Sequence, residues 1–279
     1  MLKKKIAIFH AQFARGGSEA VALQTQVALK KDYDSVIVTT AEGGKLDIEK
    51  INKYYGVNLS GRDFLLLKTP LFLNLFNYKK FSSLRNRIAQ RYFNKIANKF
   101  DLVISSCNIS NFDRKVIQII GDFYFDENLK TNLDILPTKN KEWLLLSKGF
   151  LRKIYLKICD FISPPLQDWK KDSIVSNSEW TQKIVKEKYG CNSQVLYPPV
   201  SDIKAGPKIN EREMGFVYIG RISPEKNIES IIEILKRVRA FGHNVHLHIV
   251  GAIDNSKYSN YIKNFCKGSE DWIFFEGSL

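Results

Sequence analysis

Along the chain, short apolar runs alternate with segments whose apolar residues recur every three or four positions. "KKIAIFH" reads as a buried strand, and "RGG" then leads into a helix from about Ser18 to Lys31. "DSVIVTT" and "DFLLLK" give two more strands, and the basic helical stretch "YKKFSSLRNRIAQRYFNKIANKF" leads to the strand "DLVISS". "KVIQII" follows, then the helical "KEWLLLSKGFLRKIYLKICDFI", the strand "DSIVSN", the helix "SEWTQKIVKEKYG" and the short strand "SQVLYPPV". Continuous apolar strands joined by helices predict a parallel sheet covered on both faces. The polar stretch "SDIKAGPKINEREMG" carries Gly206 and Pro207 and no apolar period, as a linker does. Beyond it the pattern restarts with strand "GFVYIGRI", helix "NIESIIEILKRVRAFG", strand "NVHLHIVGA", helix "KYSNYIKNFCKG" and strand "WIFFEGSL". The expected organisation is α/β: a Rossmann-like domain over residues 1–200, a linker over 201–214, and the first half of a second Rossmann-like domain over 215–279.

Composition changes this picture in one respect. Of 279 residues, 44% are hydrophobic and 26% charged, ordinary values for a globular protein, but 43 Lys and Arg face 29 Asp and Glu. The resulting +14 points to an anionic partner: nucleic acid, phospholipid headgroups or a phosphorylated small molecule. No aromatic-basic RNA motif accompanies the charge, which argues against nucleic acid. Cys107, Cys159, Cys191 and Cys266 form no CxxC pair, so neither a disulfide framework nor a metal site is expected, and the compartment reads as cytosolic. The basic start is not a signal peptide, since His10 and Gln12 break its apolar run. "DFLLLKTPLFLNLFNYKKFSSLRNRIAQRYFNKIANKF" and "WLLLSKGFLRKIYLKICDF" mix large apolar side chains with Lys and Arg. Either these are core residues under a solvated charged face, or they suit an anionic membrane surface.

Ligands of open parallel sheets sit beyond the carboxyl ends of the strands, where helix N-termini present free N–H groups. Three stretches answer to that rule. In "HAQFARGGSEA", Gly16 and Gly17 are either a structural turn or a place where backbone approaches a ligand. In "IVSNSEWT", Asn177 and Ser178 either cap the next helix or line a site. In "YIGRISPEKN", Ser223 and Pro224 predict a helix start, so that Arg221 and Lys226 either converge on one point above the sheet edge or form a solvated pair with no ligand. A bidentate fork beside a point charge is suited to a diphosphate. The alternating "HNVHLH" has no Cys or carboxylate to complete a metal site and reads as structural.

"GGSEAVAL", "IVSNSEWTQKIVKEKYG…VLYPPV" and "FVYIGRISPEKNIESIIEIL…LHIVG" together resemble glycosyltransferase family 4, most closely its dolichol-pathway type of mannosyltransferase. The resemblance implies a GT-B fold and transfer of a hexose from a GDP- or UDP-sugar, used as substrate, to a lipid-linked or polysaccharide acceptor. Retention of configuration, no metal and no cofactor are implied with it. It assigns Arg221 and Lys226 to the donor diphosphate, Gly220 to the same loop, and Gly251 to the nucleotide. Gly16 and Gly17 fall to the phosphate and acceptor side, and Asn177 and Ser178 to the cleft floor.

Two departures from the family pattern bear on activity. Where relatives carry a His after a middle strand, this chain has Gly121 and Asp122, which leaves Asp122 and the strand-end His10 as candidates near the transferred sugar. The family's paired glutamates would lie beyond Leu279. The expectation is therefore either a transferase at the inner membrane face, completed if need be by a second chain, or a non-catalytic module binding a glycan, membrane or partner.

Overall fold

A computed structural model of the chain describes residues 3–13, 16–40, 45–70, 82–106, 109–123, 125–126, 128–129, 133, 150–162, 169–200, 206–253 and 257–277. The chain divides into two compact units, one of Met1–Lys130 with Phe150–Ile203, the other built on Lys204–Leu279.

The first unit is organised on β1 (Lys5–Gln12), whose residues from Ile6 to Ala11 are all buried. Its side chains alternate between faces, as the strand period requires. Ala7, Phe9 and Ala11 pack with Ala89 and Phe93 of α3 (Ser82–Asn94). Ile8 packs with Ala22 and Leu23 of α1 (Gly17–Leu29). The strand's run from Ile6 to Phe9 is thus continuously apolar, because helices cover both its faces. β2 (Asp34–Thr40) and β3 (Phe64–Leu66) lie on one side of it, with α2 (Ile48–Tyr55) between them in the chain. On the other side lie β4 (Leu102–Ser105), β5 (Ile117–Ile120), β6 (Ser173–Ser176) and β7 (Gln194–Val195). All pairs are parallel, in the order β3-β2-β1-β4-β5-β6-β7. The direction of winding reverses between β1 and β4, which makes that junction the topological switch point. α4 (Phe150–Ile162) precedes β6, and α5 (Glu179–Tyr189) follows it.

The second unit has the parallel order β10-β9-β8, from β8 (Gly215–Ile219), β9 (His246–Val250) and β10 (Ile273–Gly277). α6 (Ile228–Ala240) and α7 (Lys257–Phe265) bury Ile228, Ile232, Leu235 and Ile262 against Leu247, Ile249 and Ile273. Val217 and Ile219 remain exposed, and among the described residues β8 pairs with β9 alone.

The structure differs from the sequence expectation at two helix starts. Polar α2, which buries no residue, is absent from the apolar pattern; Asp47 caps it by accepting from the Lys50 amide. Ser223-Pro224 does not begin the long helix after β8 but a single 3-10 turn, Pro224–Lys226. Asn227, left-handed at φ 49°, ends that turn and resets the chain for α6. "KEWLLLSKG" lies outside the described residues, as do 71–81 of the apolar-basic stretch and Cys107.

Candidate functional site

In the second unit the turn after β8 collects the predicted cations. The Arg221 guanidinium, 72% exposed, lies 3.5 Å from the Glu225 carboxylate, one helical turn along. Solvent weakens such a pair, so a doubly charged ligand can replace Glu225 at small cost. Lys226 is exposed, and its ammonium has no partner among the described residues. The backbone beneath these side chains is fixed. Tyr218 donates its hydroxyl to the Arg221 carbonyl at 2.6 Å, and the Lys226 amide donates to the Ser223 carbonyl at 2.9 Å. Burial and the Glu225 charge push the Tyr218 phenol up to about 12, against the opposing charge of Arg221, so it stays a donor at neutral pH. Ser223 does not cap a helix with its side chain; its hydroxyl turns towards the Arg221 carbonyl at 3.5 Å.

Asn227 is the only described non-glycine residue with a positive φ. A left-handed residue at the foot of a cationic turn is the kind of strain that ligand clamps retain. Its Oδ1 accepts from the Ser230 hydroxyl at 2.9 Å and leaves the first amides of α6 without a side-chain cap. Gly220 and Gly251 meet behind the turn. The Gly220 amide donates to the Val250 carbonyl at 2.9 Å, and a Cβ on Gly251 would run into the Gly220 carbonyl. Close backbone approach between the two loops is therefore what this structure requires of Gly251. His246 and His248 stand on the sheet facing Glu213 at 3.5 Å and Glu276 at 2.6 Å.

The first unit brings its own candidates to the carboxyl edge of its sheet. His10 sits at the β1–β4 switch point and is only 1% exposed. Its Nδ1 lies 3.0 Å from the Ser106 hydroxyl and its Nε2 3.8 Å from the buried Glu19 carboxylate. Since Ser106 donates to the Phe9 carbonyl at 3.1 Å, its oxygen is left to accept from His10. Ser106 and Glu19 are the residues that the sequence did not single out; the one faint signal is a carboxylate in the first turn after the diglycine. Gly16 is held by Tyr55, whose hydroxyl accepts from the Gly16 amide at 3.0 Å and donates to its carbonyl at 3.1 Å. A Cβ on Gly17 would meet nothing within 4 Å.

Asn177 and Ser178 stand at the end of β6 and are both engaged in local hydrogen bonds. Asn177 donates to the Gly121 carbonyl at 2.9 Å and accepts from Thr181 at 2.6 Å, while Ser178 caps α5 through the Thr181 amide at 3.2 Å. Asp122 is half-buried just beyond β5. His10, Gly121 with Asp122, and Asn177 thus share one edge of one sheet, and Arg221, Lys226, Gly220 and Gly251 share one loop cluster of the other.

The cationic turn lies within a segment of known kind. Residues 200–276 match the family model of glycosyl transferases group 1. No curated protein matches the sequence. Among solved structures, TarM is similar at 12% identity and a TM-score of 0.56 over 99% of this chain and 77% of its own. A point mutant of S. aureus TarM, in complex with Fondaparinux, alpha-GlcNAc-glycerol and UDP, gives 13%, 0.55, 99% and 78% in the same terms. UDP-N-acetylglucosamine 2-epimerase from Rickettsia bellii gives 11%, 0.50, 99% and 69%. At such identities the likeness is one of fold. The chain is α/β and GT-B-like, as expected, with one Rossmann-like unit and, among the described residues, three strands and two α-helices of a second.

Proposed function

We propose that the protein is a glycosyltransferase that binds a nucleoside-diphosphate sugar on its second unit. Arg221 and Lys226 hold the diphosphate and offset the charge that develops on it as the sugar departs. In the finer reading a hexose passes to a lipid-linked or polysaccharide acceptor with retained configuration, without a metal, and His10 and Asp122 lie on the acceptor side. The observation that carries the proposal is a pair of exposed cations on a strained turn inside the segment matching the transferase family model. The fold alone does not choose, because a sugar epimerase shares it.

The deciding experiment incubates the protein with UDP- and GDP-sugars and lipid-linked or polysaccharide acceptors, and follows acceptor mass. A gain of one hexose is expected, UDP being the first nucleotide to try because the TarM mutant is complexed with it. Conversion of the donor sugar without transfer would contradict the proposal. A second reading, a binding module that needs another chain for activity, is favoured by the outer edge of β8, which has no paired strand among the described residues. It predicts donor binding with neither transfer nor conversion.

A further inference from the structure

The turn from Arg221 to Asn227 is met at both ends by tyrosines rooted in the core of the second unit. At its start Tyr218, on β8, donates its hydroxyl to the Arg221 carbonyl at 2.6 Å. At its end Asn227 gives its side chain to Ser230 and does not cap α6. Tyr258, in the first turn of α7, stands there instead. It is 2% exposed, packs in one cluster with Ile228, Ile232 and Ile262, and donates its hydroxyl to the Glu229 carboxylate, itself 7% exposed. The Ile228 amide, the first of α6, faces the same hydroxyl oxygen, and the Tyr218 phenol lies near enough for the two to interact electrostatically. Burial, and after it the Glu229 carboxylate, pushes the Tyr258 phenol far above its ordinary value, so that it remains a donor. A buried hydroxyl that both gives and accepts a hydrogen bond fixes the groups around it.

We propose that Tyr258 is a positioning residue for the donor turn: through Ile228 and Glu229 it fixes the foot of the turn, and with it the direction in which Arg221 and Lys226 present their charges. This role rests on the reading of the turn as a diphosphate site. Tyr258 is buried and touches no ligand; it acts through the backbone. Within the turn the Lys226 amide donates to the Ser223 carbonyl at 2.9 Å and the Asn227 amide to the Pro224 carbonyl at 3.1 Å. Bonds of such short range shape a turn without tying it to its surroundings. The buried Ile228 side chain fixes where α6 begins, and the Tyr258 hydroxyl fixes how its first peptide is oriented. That orientation opposes relaxation of Asn227 out of the left-handed region, which would swing the turn about its foot. A guanidinium fork has a fixed geometry, so a turn that swings loses diphosphate contacts while keeping both cations.

Tyr258→Phe tests this, since it keeps the ring in the core and removes only the hydroxyl. Amide hydrogen exchange of the full chain without nucleotide is expected to quicken about three- to tenfold at Lys226, Asn227 and Ile228. The amides of Leu247 and Ile249 on β9 are expected to keep their rates, which also certifies that the variant is folded. Calorimetric titration with UDP and GDP, arranged as a double-mutant cycle, reads the consequence for the ligand. Tyr258→Phe is expected to weaken the tighter-binding nucleotide about three- to tenfold in the otherwise unchanged protein, and less than about twofold once Arg221→Ala has removed the fork. Unchanged exchange at the turn, exchange that quickens equally on β9, or an equal loss of affinity in both backgrounds would each overturn the proposal. A wild type that binds neither nucleotide would instead overturn the donor reading, and the positioning role would fall with it.

Discussion

Asn227 carries the geometry of the turn on which the proposed donor site rests. An L-residue with a side chain resists the left-handed region by about 1–2 kcal/mol, and Asn and Gly do so least. Asn227→Ala therefore loses the favourable conformation and the Ser230 hydrogen bond together, whereas Asn227→Gly loses only the latter. Thermal unfolding of the two variants is expected to show about 1 kcal/mol more destabilisation for alanine, with a parallel loss of donor affinity. Equal behaviour of the two would mean that the strain has no part in shaping the turn. His10 teaches a different lesson at the same scale. Its position at a strand end is visible in the sequence, but its enclosure by Ser106 and Glu19 depends on a neighbour that lies 96 residues away. No local pattern encodes such a contact.

At the level of elements, α1 is tied to the β2–β3 edge through Asp63. Burial opposes ionisation of this carboxyl, but the Ser60 amide and hydroxyl, the Gln26 amide and the Lys30 charge outweigh it and hold it below its ordinary value of 3.8. A depressed carboxyl stabilises the fold above its unfolded pKa, and that contribution is lost as pH falls through the folded one. Asp63→Asn is thus expected to cost roughly 1–3 kcal/mol at neutral pH, with the gap to the wild type closing below about pH 4 in urea unfolding. A gap of constant size would contradict the assignment. The strands, by contrast, are legible because burial on both faces makes them continuous apolar runs, as in β1 and β2. α2 is not, since it buries nothing, and the turn at Pro224–Lys226 reads as a helix start because Ser-Pro signals both. Lys226 is nevertheless exposed one turn from Arg221, because a 3-10 turn advances the chain much as the first turn of a helix does.

Over the whole molecule the net charge is +14, and two of its cations, Arg221 and Lys226, stand exposed at the turn after β8, where the proposed function places a diphosphate. That turn is local enough to be read from ten residues of sequence. Which side of α4 stays exposed emerges only from packing. Whether Arg221 and Lys226 bind the donor diphosphate is decided by calorimetric titration of the wild type, Arg221→Ala and Lys226→Ala with UDP and GDP. Each substitution is expected to weaken binding by roughly ten- to a hundredfold, as the loss of one charge-assisted contact requires. Equal affinity in all three proteins would remove the diphosphate from this turn.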